Sequence, residues 1–242
     1  MRRFPGEVWL LPAEAKDGGD PKTRRHVLLN PCDSADDLPT LAYTSTKATE
    51  AKFGATAIQV DPRSGGSSIG FTKPAFVYPS RLVAAVSDDL LRMTGRLVKE
   101  LPDLRRGLRA ALGLGTGTRE GAGFANGSWR GAVVALSRAI REDLGFDLGV
   151  VVTEPGYSNE ERYQLIVPLD SPKNATRSTS HRVVTDAPWV LRLGHATGGL
   201  LLAVDDVQAV FHPTDIESDT GVVVDDATMQ QIEAALARLF LL

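Results

Sequence analysis

Cysteine is all but missing from this chain. Cys32 is the only one among 242 residues, which excludes an intrachain disulfide and a zinc site built on thiolates. Histidine is scarce too: His26, His181, His195 and His212 show no metal-ligand spacing, so no bound metal is expected. No apolar run approaches the roughly 18 residues that a membrane-spanning helix needs. The amino terminus, MRRFPGEVWLLPAE, is basic with apolar residues behind it, but Glu7 and Pro12 interrupt them before a signal-peptide core is long enough. These absences together lead to the expectation of a cytoplasmic chain that does not enter a membrane. What is present is ordinary: 43% hydrophobic and 24% charged residues, the proportions of folded rather than disordered protein.

The charge is unevenly placed. Residues 1–120 carry 18 Lys and Arg against 14 Asp and Glu, a balance of +4, whereas residues 121–242 carry 9 against 16, a balance of −7. Only the first half has the sign expected of a surface that meets a polyanion. Between the halves runs GLGTGTREGAGFANGS, Gly113 to Ser128, whose glycines and small polar residues read as a flexible linker. The predicted organisation is therefore a domain over 1–112, a linker over 113–128 and a second domain over 129–242.

The halves share an order of features. GEVWLL from Gly6 matches GAVVAL from Gly131, TLAYTS ending at Ser45 matches IVPLDS ending at Ser171, and GRLV at Gly95 matches GVVV at Gly221. Such constant spacing indicates an internal repeat. Short β-rich runs at Val8–Leu11, Val27–Asn30, Thr40–Thr44, Ala55–Val60, Ala75–Val77 and Leu82–Val86 are punctuated by Gly, Pro, Asp and Ser, as in a small antiparallel barrel rather than a parallel sheet. One helix is predicted after Pro102, with Leu104, Leu108, Ala111 and Leu112 at helical spacing. Another is predicted over DDATMQQIEAALARLF, where acidic residues open the first turn and Ile232, Ala235, Leu236 and Leu239 form an apolar stripe.

In PKTRRHVLLNP, Pro21 to Pro31, two arginines stand against an apolar run. RRFPGEVWLL, then TRRHVLLNP, LAYTSTKAT, FVYPSRLVAAV and a closing helix, in that order, resemble the MazF/PemK ribonuclease toxins over residues 1 to about 112. The resemblance implies two tandem SH3-like small β-barrels, mainly β with short helices. Arg25 stands at the family's arginine, with His26 in place of its usual proline, and Thr44 and Ser45 stand at the family's Thr-Ser pair. The implied activity is metal-independent cleavage of single-stranded RNA without a cofactor, with Arg25 and Thr44 catalytic. A cognate antitoxin protein is a further implied partner. A guanidinium can clamp the phosphate oxygens on which charge builds when a ribose 2′-hydroxyl attacks, and a threonine hydroxyl can donate and accept. Arg25 is a poor general acid at neutral pH. The neighbouring His26 suits proton transfer better, but adjacent strand residues face opposite sides. Lys22, Arg24, Ser45, Lys47 and Arg81 flank the site in sequence and are expected to contact RNA.

In the second half FDLGVVVTEP has no arginine where Arg24 and Arg25 should recur, and the alignment sets Asp170 against Thr44. The second barrel is expected to be a degenerate copy, paired with the first as an intramolecular pseudo-dimer. Two rival functions stand beside the endoribonuclease: a noncatalytic binding module on an SH3-like barrel, and a gyrase-directed toxin of the same fold.

Overall fold

The structure, a computed structural model, describes residues 2–13, 22–33, 37–46, 57–63, 70–85, 87–115, 130–154, 163–170, 182–185, 187–193 and 200–242. The chain divides into two compact units, Met1–Leu108 and Arg109–Leu242. Of the linker expected over 113–128, residues 113–115 are described, in a turn after the helix that ends at Ala111, and 116–128 lie outside the described residues.

The first unit runs β1 (Glu7–Ala13), β2 (Lys22–Leu28), β3 (Thr40–Ser45), β4 (Ile58–Val60), β5 (Ala75–Ala84) and β6 (Arg92–Arg96), followed by α1 (Leu101–Ala111), which crosses the boundary between the units. The strands form one curled antiparallel sheet in the order β4-β5-β3-β2-β1-β6. Alternating side chains leave a strand on opposite faces, yet Val8 and Trp9, Val27 and Leu28, and Leu41 and Ala42 are all buried. Both faces are therefore covered. Trp9, Leu11, Leu28 and Leu41 form one buried cluster with Cys32, Ala85 and Leu90.

The runs expected as separate strands at Ala75–Val77 and Leu82–Val86 fall, as far as Ala84, in one bent strand, and Val86 lies outside the described residues. Tyr43 faces Tyr78 but Ala42 faces Leu82, so Pro79, Ser80 and Arg81 fall between paired positions. Proline has no N–H for the ladder, which is why a bulge here resembles a strand end in sequence. The strand expected over Ala55–Val60 is described only from residue 57, with β4 at Ile58–Val60.

The second unit runs β7 (Ala132–Leu136), α2 (Arg138–Leu144), β8 (Leu148–Val151), β9 (Tyr163–Asp170), β10 (Arg182–Thr185), α3 (Pro188–Arg192), β11 (Leu200–Ala203), β12 (Gln208–Phe211), α4 (His212–Asp215), β13 (Ile216–Val223) and α5 (Asp226–Phe240). Its sheet order, β10-β11-β9-β8-β7-β13, repeats that of the first unit position by position, with β12 also paired to β9. β11 and β12 both lie along β9, as the two arms of bent β5 lie along β3.

The same backbone junction opens both sheets. Gly6 (φ 88°) and Gly131 (φ 85°) adopt left-handed conformations. Their N–H groups donate to Leu28 and Val151 carbonyls, each at 2.8 Å, and their own carbonyls accept from Leu97 and Val224 N–H groups at 2.7 and 3.0 Å. A Cβ on Gly6 would lie 2.4 Å from the Leu97 carbonyl oxygen, so only glycine fits.

The final helix also forms as its sequence indicates. The Asp225 carboxylate caps α5 by accepting from the Thr228 N–H at 2.7 Å, and Ile232, Ala235, Leu236 and Leu239 are buried. Arg130, fully buried, donates to the Val152 carbonyl and to Glu233 of α5 at 2.8 Å, which fixes the start of β7 to the helix. Among the described residues no helix is long and apolar enough to cross a membrane.

Candidate functional site

Strand alternation decides where each of the paired arginines points. Arg25 lies opposite Leu10 of β1 and shares a sheet face with Val27, while Arg24 and His26 take the other face. The half-buried Arg25 side chain is anchored by its Nε, which donates to the Gly70 carbonyl at 2.6 Å, leaving the outer nitrogens directed away from that anchor. Behind it, Thr44 Oγ1 donates to the Arg25 carbonyl at 2.6 Å. The two residues expected to be catalytic therefore meet, but the threonine hydroxyl engages the arginine backbone. Thr44 is buried and is not part of the adjoining cavity wall.

Gly70 must be glycine. It sits at φ 82°, and a Cβ there would come within 2.9 Å of Thr94 Oγ1 and 3.0 Å of both Gly95 N and Val8 Cβ. The Thr94 hydroxyl, 3.2 Å from the Val8 carbonyl and 3.4 Å from the Gly70 carbonyl, holds this close approach.

In front of Arg25 opens a cavity of about 440 Å³, lined also by Gly70, Phe71, Thr72, Arg92, Met93 and Thr94. Apart from Arg25, none of these wall residues is singled out from the sequence, Arg92 and Thr94 among them. Leu10 pairs with Arg25 on one side and with Arg92 on the other, so the three occupy one row across β2, β1 and β6. Among the described residues no carboxylate forms an ion pair with Arg25 or Arg92. Two cations that meet no counter-charge among the described residues, beside a concavity, make an anion-binding arrangement.

The remaining predicted RNA contacts do not gather at this cavity. On the opposite face, an Arg24 Nη donates to the Tyr43 hydroxyl at 3.2 Å. The Arg81 guanidinium lies 5.6 Å from the Tyr43 ring and 5.1 Å from the Tyr78 ring, within cation–π range. Ser45, half-buried, ends β3 opposite Phe76. The backbone of Lys22 pairs with Ala13, while its side chain and the whole of Lys47 lie outside the described residues.

His26 lies on the face away from Arg25, as strand alternation indicates. It is buried on the far face, with its ring centroid 6.0 Å from that of Tyr43 in an edge-on arrangement. Burial, with the Arg24 charge adding to it against an opposing backbone hydrogen bond, lowers its pKa to about 4. At neutral pH it is an uncharged packing residue. Cys32 is equally inert: buried, with its thiol pushed up to about 12 chiefly by burial.

Strand register also refines the comparison between units. Val8 pairs with Val27 and Val27 with Ala42; Val133 pairs with Val150 and Val150 with Val167. Thr44 therefore corresponds to Leu169 and Ser45 to Asp170, one residue from the sequence alignment that set Asp170 against Thr44. Arg25 corresponds to Leu148, and Leu148 pairs directly with Leu169. Two leucines thus stand where the first unit has its arginine and threonine. No protein-family model matches the chain, and no curated protein matches its sequence.

Proposed function

We propose that the first unit is a metal-independent endoribonuclease of the MazF/PemK kind on a small SH3-like barrel, and that the second unit is a copy without a site. The observation that carries this reading is the Arg25 guanidinium, anchored through Nε at Gly70, backed by Thr44 and open to a concavity without a paired carboxylate. RNA would lay a phosphodiester across the outer Arg25 nitrogens. The ribose 2′-oxygen attacks the phosphorus, the bond to the 5′-oxygen breaks, and the products are a 2′,3′-cyclic phosphate and a 5′-hydroxyl. Charge accumulates on the non-bridging oxygens, where two parallel N–H donors stabilise it more than they stabilise the ground state. The proton released by the 2′-hydroxyl goes to water and the 5′-oxygen takes one from water, because arginine does not titrate near neutrality. Thr44 acts through Arg25 as a positioning residue. Arg25→Ala is expected to lower cleavage by roughly a hundredfold or more, assayed on mixed-sequence RNA in EDTA.

A second reading, binding of single-stranded nucleic acid without cleavage, is favoured by one observation: among the described residues lining the cavity, none is an Asp, Glu or His. RNA retained by the wild-type chain but left uncut in that assay would select it.

A further inference from the structure

We infer that Arg92 is the second phosphate-binding cation of the first unit's cavity, and that the cavity takes one nucleotide by its phosphate with the base against Phe71. The inference shares with the proposed function the reading of Arg25 as a phosphate ligand, but does not depend on RNA being cut.

The row Arg25, Leu10, Arg92 fixes the spacing. Two interstrand steps put the Cα atoms of the arginines roughly 10 Å apart, so the side chains can converge on one phosphate from both sides of Leu10. The two cations differ in preparation. Arg25 is already anchored at Gly70, whereas Arg92 is exposed and orders when the anion arrives. A cavity of about 440 Å³ falls within the ~300–1,000 Å³ of small-molecule sites, more than a bare phosphate needs. The excess volume has an apolar wall: Phe71, half-buried, lines the cavity beside the two arginines.

The second unit supplies an independent observation. Its counterpart of Leu10 is Ala135, which pairs with Leu148 on one side and Ser218 on the other. The copy that lacks the Arg25 cation lacks the Arg92 cation as well, while buried valines are kept where Val8 and Val27 stand, at Val133 and Val150, and the position of Ala42 is filled by buried Val167. A shared ligand accounts for the joint absence, in a half that carries 9 Lys and Arg against 18 in the first.

Calorimetric titration of the full chain at low ionic strength tests this, with uridine 3′-monophosphate, adenosine 3′-monophosphate, uridine and inorganic phosphate as ligands. The nucleotides are expected to bind, phosphate more weakly, and uridine not measurably. Arg92→Ala and Arg25→Ala should each weaken nucleotide binding about tenfold or more, the loss of a charge-assisted contact. Phe71→Ala should weaken nucleotide binding and leave phosphate binding unchanged. Arg96→Ala, on the same strand but outside the cavity wall, should stay within about twofold of wild type, since a single surface charge contributes little. Nucleotide binding unchanged in Arg92→Ala overturns the inference, as does no nucleotide binding at all. An equal loss in Arg96→Ala reduces the effect to general charge and overturns it too. Phosphate binding as tightly as the nucleotides overturns the assignment of a base subsite. If the nucleotides bind as expected but RNA is never cut, the endoribonuclease falls and the nucleotide site stands. If RNA is cut but Arg92→Ala binds the nucleotides as tightly as the wild type, the nucleotide site falls and the endoribonuclease stands.

Discussion

Gly70→Ala should damage the site through a residue that carries no functional group. At φ 82° the added methyl meets Thr94 Oγ1 at 2.9 Å and Gly95 N and Val8 Cβ at 3.0 Å. Two terms add. The left-handed conformation costs an alanine about 1–2 kcal/mol, and overpacking against a buried strand costs a further ~1–3 kcal/mol, because Val8 is fully buried and Gly95 N is backbone of β6. The control is Gly145→Ala, at φ 74° with nothing within 4 Å of the new methyl, which bears the first term only. Urea unfolding of the full chain measures the difference, and hydrogen exchange at β1 and β6 amides locates it in the first unit. The chain can also relieve the overlap by withdrawing residue 70. In that case the Gly70 carbonyl leaves the Arg25 Nε, and phosphate binding weakens about tenfold as the guanidinium loses its anchor. A Gly70→Ala protein no less stable than Gly145→Ala, with phosphate binding intact, would refute the view that this close approach builds the site.

Thr44→Val removes the hydroxyl that holds the Arg25 carbonyl at 2.6 Å while keeping the β-branched shape; it should destabilise by about 1 kcal/mol and reduce cleavage, with Thr44→Ser restoring both. Equal inactivity of the serine variant would contradict a positioning role. His26 titrates near 6.5 when unfolded but at about 4 in the fold, so between those values the unfolded chain binds more protons. Its contribution is complete above pH 6.5 and is lost as pH falls towards 4, by up to ~3 kcal/mol; urea midpoints across that range should flatten in His26→Gln. Glu233→Ala leaves the fully buried Arg130 without its carboxylate and should destabilise the second unit by about 3–5 kcal/mol, seen as faster hydrogen exchange in α5, with RNA cleavage unchanged.

The parts legible in sequence were those set by local periodicity. The apolar stripe from Ile232 to Leu239 and the acidic opening of α5 are helical signals that need no distant partner, and the β-rich runs of the first unit appear where strands form. The positions that escaped depend on register. Asp170 and Leu169 are indistinguishable as counterparts of Thr44 until Val150 is paired with Val167, and a one-residue slip moves a side chain to the other face. The same rule separates Arg24 from Arg25, neighbours in sequence that meet different surroundings. Arg92 lay hidden because RMTGR has little β-character, and only its pairing with Leu10 brings it beside a strand far earlier in the chain. Gly70 gave no local sign either: its role comes from contact with Val8 and Thr94, a property of the assembled sheet.

The central claim, that the first unit cuts RNA through Arg25 without metal, is tested most directly by incubating the purified full chain with mixed-sequence RNA in EDTA and mapping the new ends. The account expects fragments with 5′-hydroxyl and 2′,3′-cyclic phosphate termini from the wild type, lowered roughly a hundredfold or more in Arg25→Ala. No new ends from the wild type, or the same ends at the same rate from Arg25→Ala, would contradict it.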